Sequence, residues 1–263
     1  MKAEAGAEAH PTLGVSPLEL ARWWIGICLI AALAWVVTIT WAGPMGVGPG
    51  TMGQSLPAFL LIWVVMMAAM MFPSVAPMAV VWIRSATARP ATRDRVVGIA
   101  SFLVGYLLAW TAFGASVYVV LLGAARLVAD APYAARWAGA AIFGAAGVYQ
   151  LTPAKGACLR HCRSPVGSLF HYASYRARAR DLRVGFHHGL YCVGCCWGLM
   201  IVLIAVGAMN VAVMVALAGV IFIEKVWAHG GAFSRAIGVS LLVIAALVPL
   251  TPWLLPGLVA VPM

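Results

Sequence analysis

Acidic residues are the scarcest class in this chain, with seven Asp and Glu among 263 residues and all charged residues together at 9%. So few carboxylates leave no paired-carboxylate site for acid–base work, and no Ser–His–Asp arrangement stands out. A glycine-rich phosphate loop ending in Lys-Ser or Lys-Thr is missing, which excludes an ATP-driven pump. An enzyme is therefore not the favoured reading. Long polar stretches are missing as well: the longest non-spanning piece is 154–186, too short for a soluble domain. There is no internal repeat and no low-complexity tract. A cleavable signal is not evident either, since Glu4, Glu8 and Glu19 precede a span-length apolar run with no Ala-x-Ala site behind it, so the first span is expected to stay as an anchor.

What the chain has in abundance is apolar surface. At 64% hydrophobic residues and a mean hydropathy of +0.99, it carries more than a water-soluble core can hide. The expected fold is all-α, a polytopic transmembrane helix bundle. Spans are expected at 21–42, 57–83, 98–123, 135–153, 187–206, 210–224 and 236–255, near the ~20 residues a bilayer requires except for the short sixth. Six spans is the alternative, because only Gly207-Ala208-Met209-Asn210 separates the halves of 187–224. The domain plan is a tail at 1–20, one membrane domain at 21–255 and a tail at 256–263.

Charge sets an expected orientation. Of the 17 Lys and Arg, four fall in 84–95 and seven in 155–183, while 43–56 and 207–210 have none. The positive-inside rule then places the N-terminus and the basic Cys/His loop 154–186 in the cytoplasm. The net charge of +10 needs no nucleic acid; Arg176, Arg178, Arg180 and Arg183 suit anionic lipid on the cytoplasmic face. Residues 166–183, which mix arginines with Phe170, Tyr172 and Tyr175, could form an interfacial helix.

Five of the six cysteines lie between Cys158 and Cys196. The densest stretch is His187-His188-Gly189-Leu190-Tyr191-Cys192-Val193-Gly194-Cys195-Cys196-Trp197-Gly198-Leu199-Met200. On a helix, positions three and four apart share a face, so His188, Cys192, Cys195 or Cys196, and Met200 form one stripe. Upstream, Cys158-Leu159-Arg160-His161-Cys162 adds two thiols and an imidazole at helical spacing. A reducing cytoplasm would keep these thiols free for metal. His187 is expected to point away from the His188 stripe, and His171 and His229 to be interfacial. Cys28 and His10 are read as incidental, and Glu224 as pairing with Lys225 or reaching the interface.

The second span carries Met66-Met67-Ala68-Ala69-Met70-Met71-Phe72-Pro73-Ser74-Val75-Ala76-Pro77-Met78. Taken alone, these methionines are core filler. Pro73 and Pro77, however, free the carbonyls of Ala69 and Pro73 and are expected to kink the span. Thioether is also a soft neutral ligand for Cu(I). If spans two and five touch, a ladder results: Met45 and Met52, then Met66, Met67, Met70 and Met71, then Met200, and finally the thiols and His188.

On the Met66–Pro73 run, on Cys158-x-x-His161-Cys162-Arg163-x-Pro165, and on His188-Gly189-x-Tyr191-Cys192-x-Gly194-Cys195-Cys196-Trp197-x-Leu199-Met200, the chain resembles a bacterial family of integral membrane proteins assigned a metal-binding role and classed as a domain of unknown function. Gly207-x-Met209-Asn210 and Glu224-Lys225 fit too, and the resemblance covers roughly 55–255. It implies a bacterial cytoplasmic membrane location and a metal site more than a particular activity.

The leading expectation is handling of a soft metal, Cu(I) before Zn(II), as transport or as delivery to a membrane enzyme or metallochaperone. The ligands would be Cys192, Cys195, Cys196, Cys158, Cys162, His188, His161, Met200, Met66, Met67, Met70 and Met71. Two alternatives remain open: a membrane thiol–disulfide oxidoreductase using the three clustered cysteines, and a structural zinc that clamps the 154–186 loop to span five within a larger complex.

Overall fold

Where the backbone can no longer continue a helix, this chain turns, and those turns set the architecture. The computed structural model describes residues 17–46, 48–85, 92–164, 172, 179–251 and 255–258, and the regular elements among them are helical. They are α1 (Pro17–Met45), α2 (Leu56–Ser85), α3 (Thr92–Asp130), α4 (Pro132–Leu151), α5 (Pro153–Arg163), α6 (Arg180–Val206), α7 (Val211–Val226) and α8 (Gly230–Leu247), with a 3₁₀ turn at Val248–Leu250. The interfacial segment expected at 166–183 lies mostly outside the described residues, as do His10 and His171.

Two junctions position the helices that carry the clustered cysteines. Thr152, ahead of Pro153, is forced out of the helical region to φ −76°, ψ 150°. The break ends α4, and Thr152 then caps α5 by accepting a hydrogen bond from the Lys155 amide at 3.3 Å. Gly207 at φ 96° ends α6, and Asn210 starts α7 by accepting from Val213 N at 3.3 Å. The short link Gly207-Ala208-Met209-Asn210 folds α7 back along α6.

Among the described residues, five helices are long and apolar enough to cross a membrane: 21–45, 56–82, 93–130, 180–206 and 230–250. The expected spans at 135–153 and 210–224 correspond to α4 and α7, which are not among them. At 16 residues, α7 is roughly 24 Å long at 1.5 Å per residue, short of a ~30 Å hydrocarbon core. The other boundaries also shift: α3 outruns its expected span at both ends, and α6 starts at Arg180 rather than 187.

The tightest seam joins α3 to α6. A Cβ on Gly185 would collide with the Phe102 carbonyl, and one on Gly105 with the Leu182 carbonyl. One on Gly189 would come within 2.8 Å of the Ala109 side chain. Small residues here let two backbones touch, as in helix pairs packed in lipid. Around this seam, α1 packs on α2, α2 on α3 and α7, and α4 on α8 and α6, while α5 lies against α6. The outward faces of α1, α3 and α8 are apolar: Leu29, Leu33, Val104, Val119, Val239 and Val243 are all exposed.

Gly185→Ala is expected to lower the thermal midpoint in detergent, costing about 1–3 kcal/mol through overpacking. Gly123→Ala on α3, where an added Cβ meets nothing within 4 Å, should be neutral or raise it.

Candidate metal centre

The repeat of α6 brings His188, Cys192, Cys196 and Met200 up one face, each one turn from the next, and all four are buried. The ligand atoms of Cys192, Cys195 and Cys196 lie within 4.8 Å of one another. Cys195 Sγ is 3.2 Å from Cys196 Sγ and donates to the Cys192 carbonyl at 3.2 Å. All six cysteines are free thiols. The stripe read from the sequence is thus realised, and it faces inward.

α5 supplies the next thiols. One turn apart, Cys158 and Cys162 both turn to α6: Cys162 Sγ is 3.7 Å from Cys195 Sγ, and Cys158 packs where a Cβ on Gly194 would lie 2.9 Å from its sulfur. Both are half-buried, whereas the three thiols of α6 are 1% exposed. The cluster therefore has an inner group and an outer pair.

The histidines separate into two sets. His188 is 3% exposed, with the rings of Phe102, Tyr106 and His161 at 6.0 to 6.4 Å between centroids. Its Nδ1 is buried without a hydrogen-bond partner. An orphaned imidazole nitrogen costs free energy unless something occupies it, and one turn below three thiols that something fits a soft metal. His161 stacks on Tyr191 at 3.7 Å and pairs through Nε2 with Tyr172 Oη at 3.2 Å. His187 reaches the same hydroxyl at 3.0 Å. As expected, His187 leaves the His188 stripe, but it joins a His161–Tyr172–His187 group rather than standing alone.

Met66, Met67, Met70 and Met71 are buried in the main core, as is Met200, and α2 stays helical through Pro73 and Pro77. The supposed contact of spans two and five is not one of the main packing pairs; α2 packs chiefly on α1, α3 and α7, and α6 chiefly on α3, α5 and α4. Met70 instead lines a groove of about 500 Å³ with Trp35 of α1 and Gly219 of α7. Met45 and Met52 belong to a separate small cluster around Met209. Cys28 lies on α1, and His229 is exposed.

Sequence reasoning missed the cations. Lys225 is buried, and its Nζ donates to Cys192 Sγ at 3.0 Å and to Ser74 Oγ at 3.1 Å. Through this side chain α2 meets the thiol cluster. Tyr106 Oη sits 2.9 Å from the same sulfur. Glu224 does not pair with Lys225, because neighbouring residues on a helix point about 100° apart. Its partner is Lys155 of α5, at 2.7 Å with both side chains 1% exposed. Gln150 Nε2 donates to its other oxygen at 2.7 Å, and Lys155 also donates to the Cys195 carbonyl. One signal for Lys225 was legible: Cys192 precedes Gly207 by fifteen residues and Lys225 follows Asn210 by fifteen. A tight α6–α7 hairpin therefore sets them at one depth, roughly 22 Å from the turn at 1.5 Å per residue.

A family model, PpoB2, described as a copper chaperone, matches residues 60–248 of the chain. No curated protein and no solved structure matches it.

Glu224→Gln should leave the Lys155 ammonium buried and unpaired, lowering stability by about 3–5 kcal/mol. Combining it with Lys155→Met should recover most of the lost thermal midpoint.

Proposed function

The chain belongs to the PpoB2 copper chaperone family, and from that premise we propose that it is an integral membrane protein holding Cu(I) as cargo on Cys192, Cys195 and Cys196. Its role is delivery of the ion to a membrane enzyme or a partner metallochaperone. The observation that carries this reading is the buried trio of sulfurs within 4.8 Å beside a buried ammonium 3.0 Å from one of them. Thiolate is the soft donor that selects Cu(I), and imidazole and thioether supplement it. The family description favours copper over zinc.

Charge explains the lysine. Cu(I) held by two or three thiolates carries a net negative charge, which a low-dielectric interior penalises unless it is neutralised. Lys225 supplies the positive charge against Cys192, and Tyr106 supplies a further dipole. Binding requires the thiols to lose their protons, so loading releases protons. His188, with its unpartnered nitrogen, is a neutral ligand one turn from Cys192 on the same stripe.

Access runs through α5. Half-buried Cys162 lies between the surroundings and Cys195, so an incoming thiolate-bound ion can be exchanged from Cys162 to Cys195 without crossing bare hydrocarbon. Cys158 and His161 flank that route. Met200, one turn beyond Cys196 on the same stripe, continues the soft lining deeper, where a neutral donor binds more weakly than a thiolate and favours movement over storage. The apolar outer faces and the five long helices support a bilayer setting. The basic end that holds α5 is oriented to the cytoplasm by the positive-inside rule.

Metal content of protein purified in detergent under reducing, anaerobic conditions tests the reading. Copper is expected in the wild type and absent when Cys192→Ser, Cys195→Ser and Cys196→Ser are combined. Met66→Leu with Met70→Leu should retain copper. Zinc lost with the cysteines would overturn copper in favour of a structural clamp. No metal, together with a Cys162–Cys195 disulfide formed on mild oxidation, would favour thiol–disulfide exchange.

Lys225→Met should weaken Cu(I) affinity by about tenfold to a hundredfold in a chelator competition, the usual penalty for losing a group that tunes a metal's ligands. It should leave the thermal midpoint of the metal-free protein unchanged or higher.

A further inference from the structure

On the far side of Lys155 from the thiols lies a cavity of about 590 Å³, between the α4–α5 break and the start of α8. Its wall carries Lys155, Arg160, Arg163, His229 and Arg235, with the Ser234 hydroxyl among them. Among the described residues, no carboxylate lines it. Glu224, the acid that meets Lys155, is already committed to Lys155 and Gln150. A groove of about 360 Å³ continues from it past Arg160, Arg163 and Ser164.

The three arginines differ in role. Arg163 donates to the carbonyls of Trp227 and Ala228 at 2.7 and 2.9 Å, tying the end of α5 to the end of α7 and fixing the cavity's floor. Arg160 and Arg235 are exposed, and among the described residues neither has a carboxylate or hydrogen-bond partner. Two free guanidinium forks from different helices, converging on one concavity with an interior lysine behind them, form a positive well that the protein leaves uncompensated. Such forks match the oxygens of a phosphate in paired hydrogen bonds. The size of the hollow falls in the range of small-molecule sites and exceeds what a simple inorganic ion requires.

We infer that this cavity binds a phosphate-bearing anion, presented either by a phospholipid headgroup or by a soluble phosphate. Charge and shape carry this assignment independently of the copper reading. One connection joins the two sites: Lys155 forms the cavity's inner wall and also holds the Cys195 carbonyl, so the anion would lie one side chain away from the thiol cluster.

The test uses delipidated full-length protein in a neutral detergent. The apparent Kd is taken from the rise of the thermal midpoint with added ligand, since a ligand that binds only the folded state raises it. The probes are inorganic phosphate against chloride at matched ionic strength, and phosphatidylglycerol against phosphatidylcholine in mixed micelles. Arg160→Gln with Arg235→Gln is compared with Arg126→Gln plus Arg136→Gln, which removes the same charge from positions outside the cavity. A rise with both phosphate and phosphatidylglycerol, weakened at least fivefold only in the Arg160/Arg235 variant, supports the site. A rise with phosphatidylglycerol alone assigns it to the lipid headgroup, and one with phosphate alone to a soluble anion. No rise with either, or equal weakening in both variants, overturns it.

Discussion

Among the described residues, two lysines are buried in an apolar interior that offers one buried carboxylate beside them, and much of the site depends on how that imbalance is resolved. Lys155 takes Glu224. Lys225 is left with a serine hydroxyl and the sulfur of Cys192. An ammonium removed from water needs a counter-charge, and the group facing it here is the Cys192 sulfur, which would supply that charge as a thiolate. The same contact that stabilises the lysine therefore prepares the cysteine for a soft cation.

Backbone proximity makes those contacts available. The glycine seam between α3 and α6 draws Tyr106 onto Cys192, and the tight Gly207–Asn210 turn returns Lys225 to the depth of that cysteine. The break at Thr152-Pro153 swings α5 across the end of α6, which places Cys162 against Cys195 and Lys155 against Glu224. Two chain reversals and one close-packed seam thus converge on a few side chains. In the proposed bilayer setting, the outer apolar faces meet lipid while the polar groups of the site satisfy one another inside.

The inner thiols and outer pair differ mainly in exposure, and exposure is what a carrier needs to grade. A fully buried site holds an ion but exchanges it slowly; a half-buried pair beside it provides a place where an external ligand can attack. The orphaned nitrogen of His188 and the uncompensated arginines at the cavity mouth are further places where the protein leaves chemistry unfinished. Groups left this way at natural sites are where ligands are sought.

Composition alone required an apolar helical protein, because no soluble core could hide so much hydrocarbon. The 3.6-residue period alone put His188, Cys192, Cys196 and Met200 on one stripe, and Cys158 with Cys162 on another. Those features are local, and local geometry is written in spacing. Span counting was less secure: α7 is shorter than a bilayer, and the ends of α3 and α6 extend beyond their hydrophobic runs. Which helices touch was not legible at all: a contact of spans two and five is conceivable from depth alone, whereas the main packing partners of α2 are α1, α3 and α7. The partner of Glu224 was equally out of reach, since adjacency in sequence sends Lys225 to another face of its helix and an ion pair depends on what lies across the seam. The sequence by itself determined the donors and their stripe; only the tertiary structure decided which cation faces which donor, because burial leaves charges no choice but the partner that packing brings within reach.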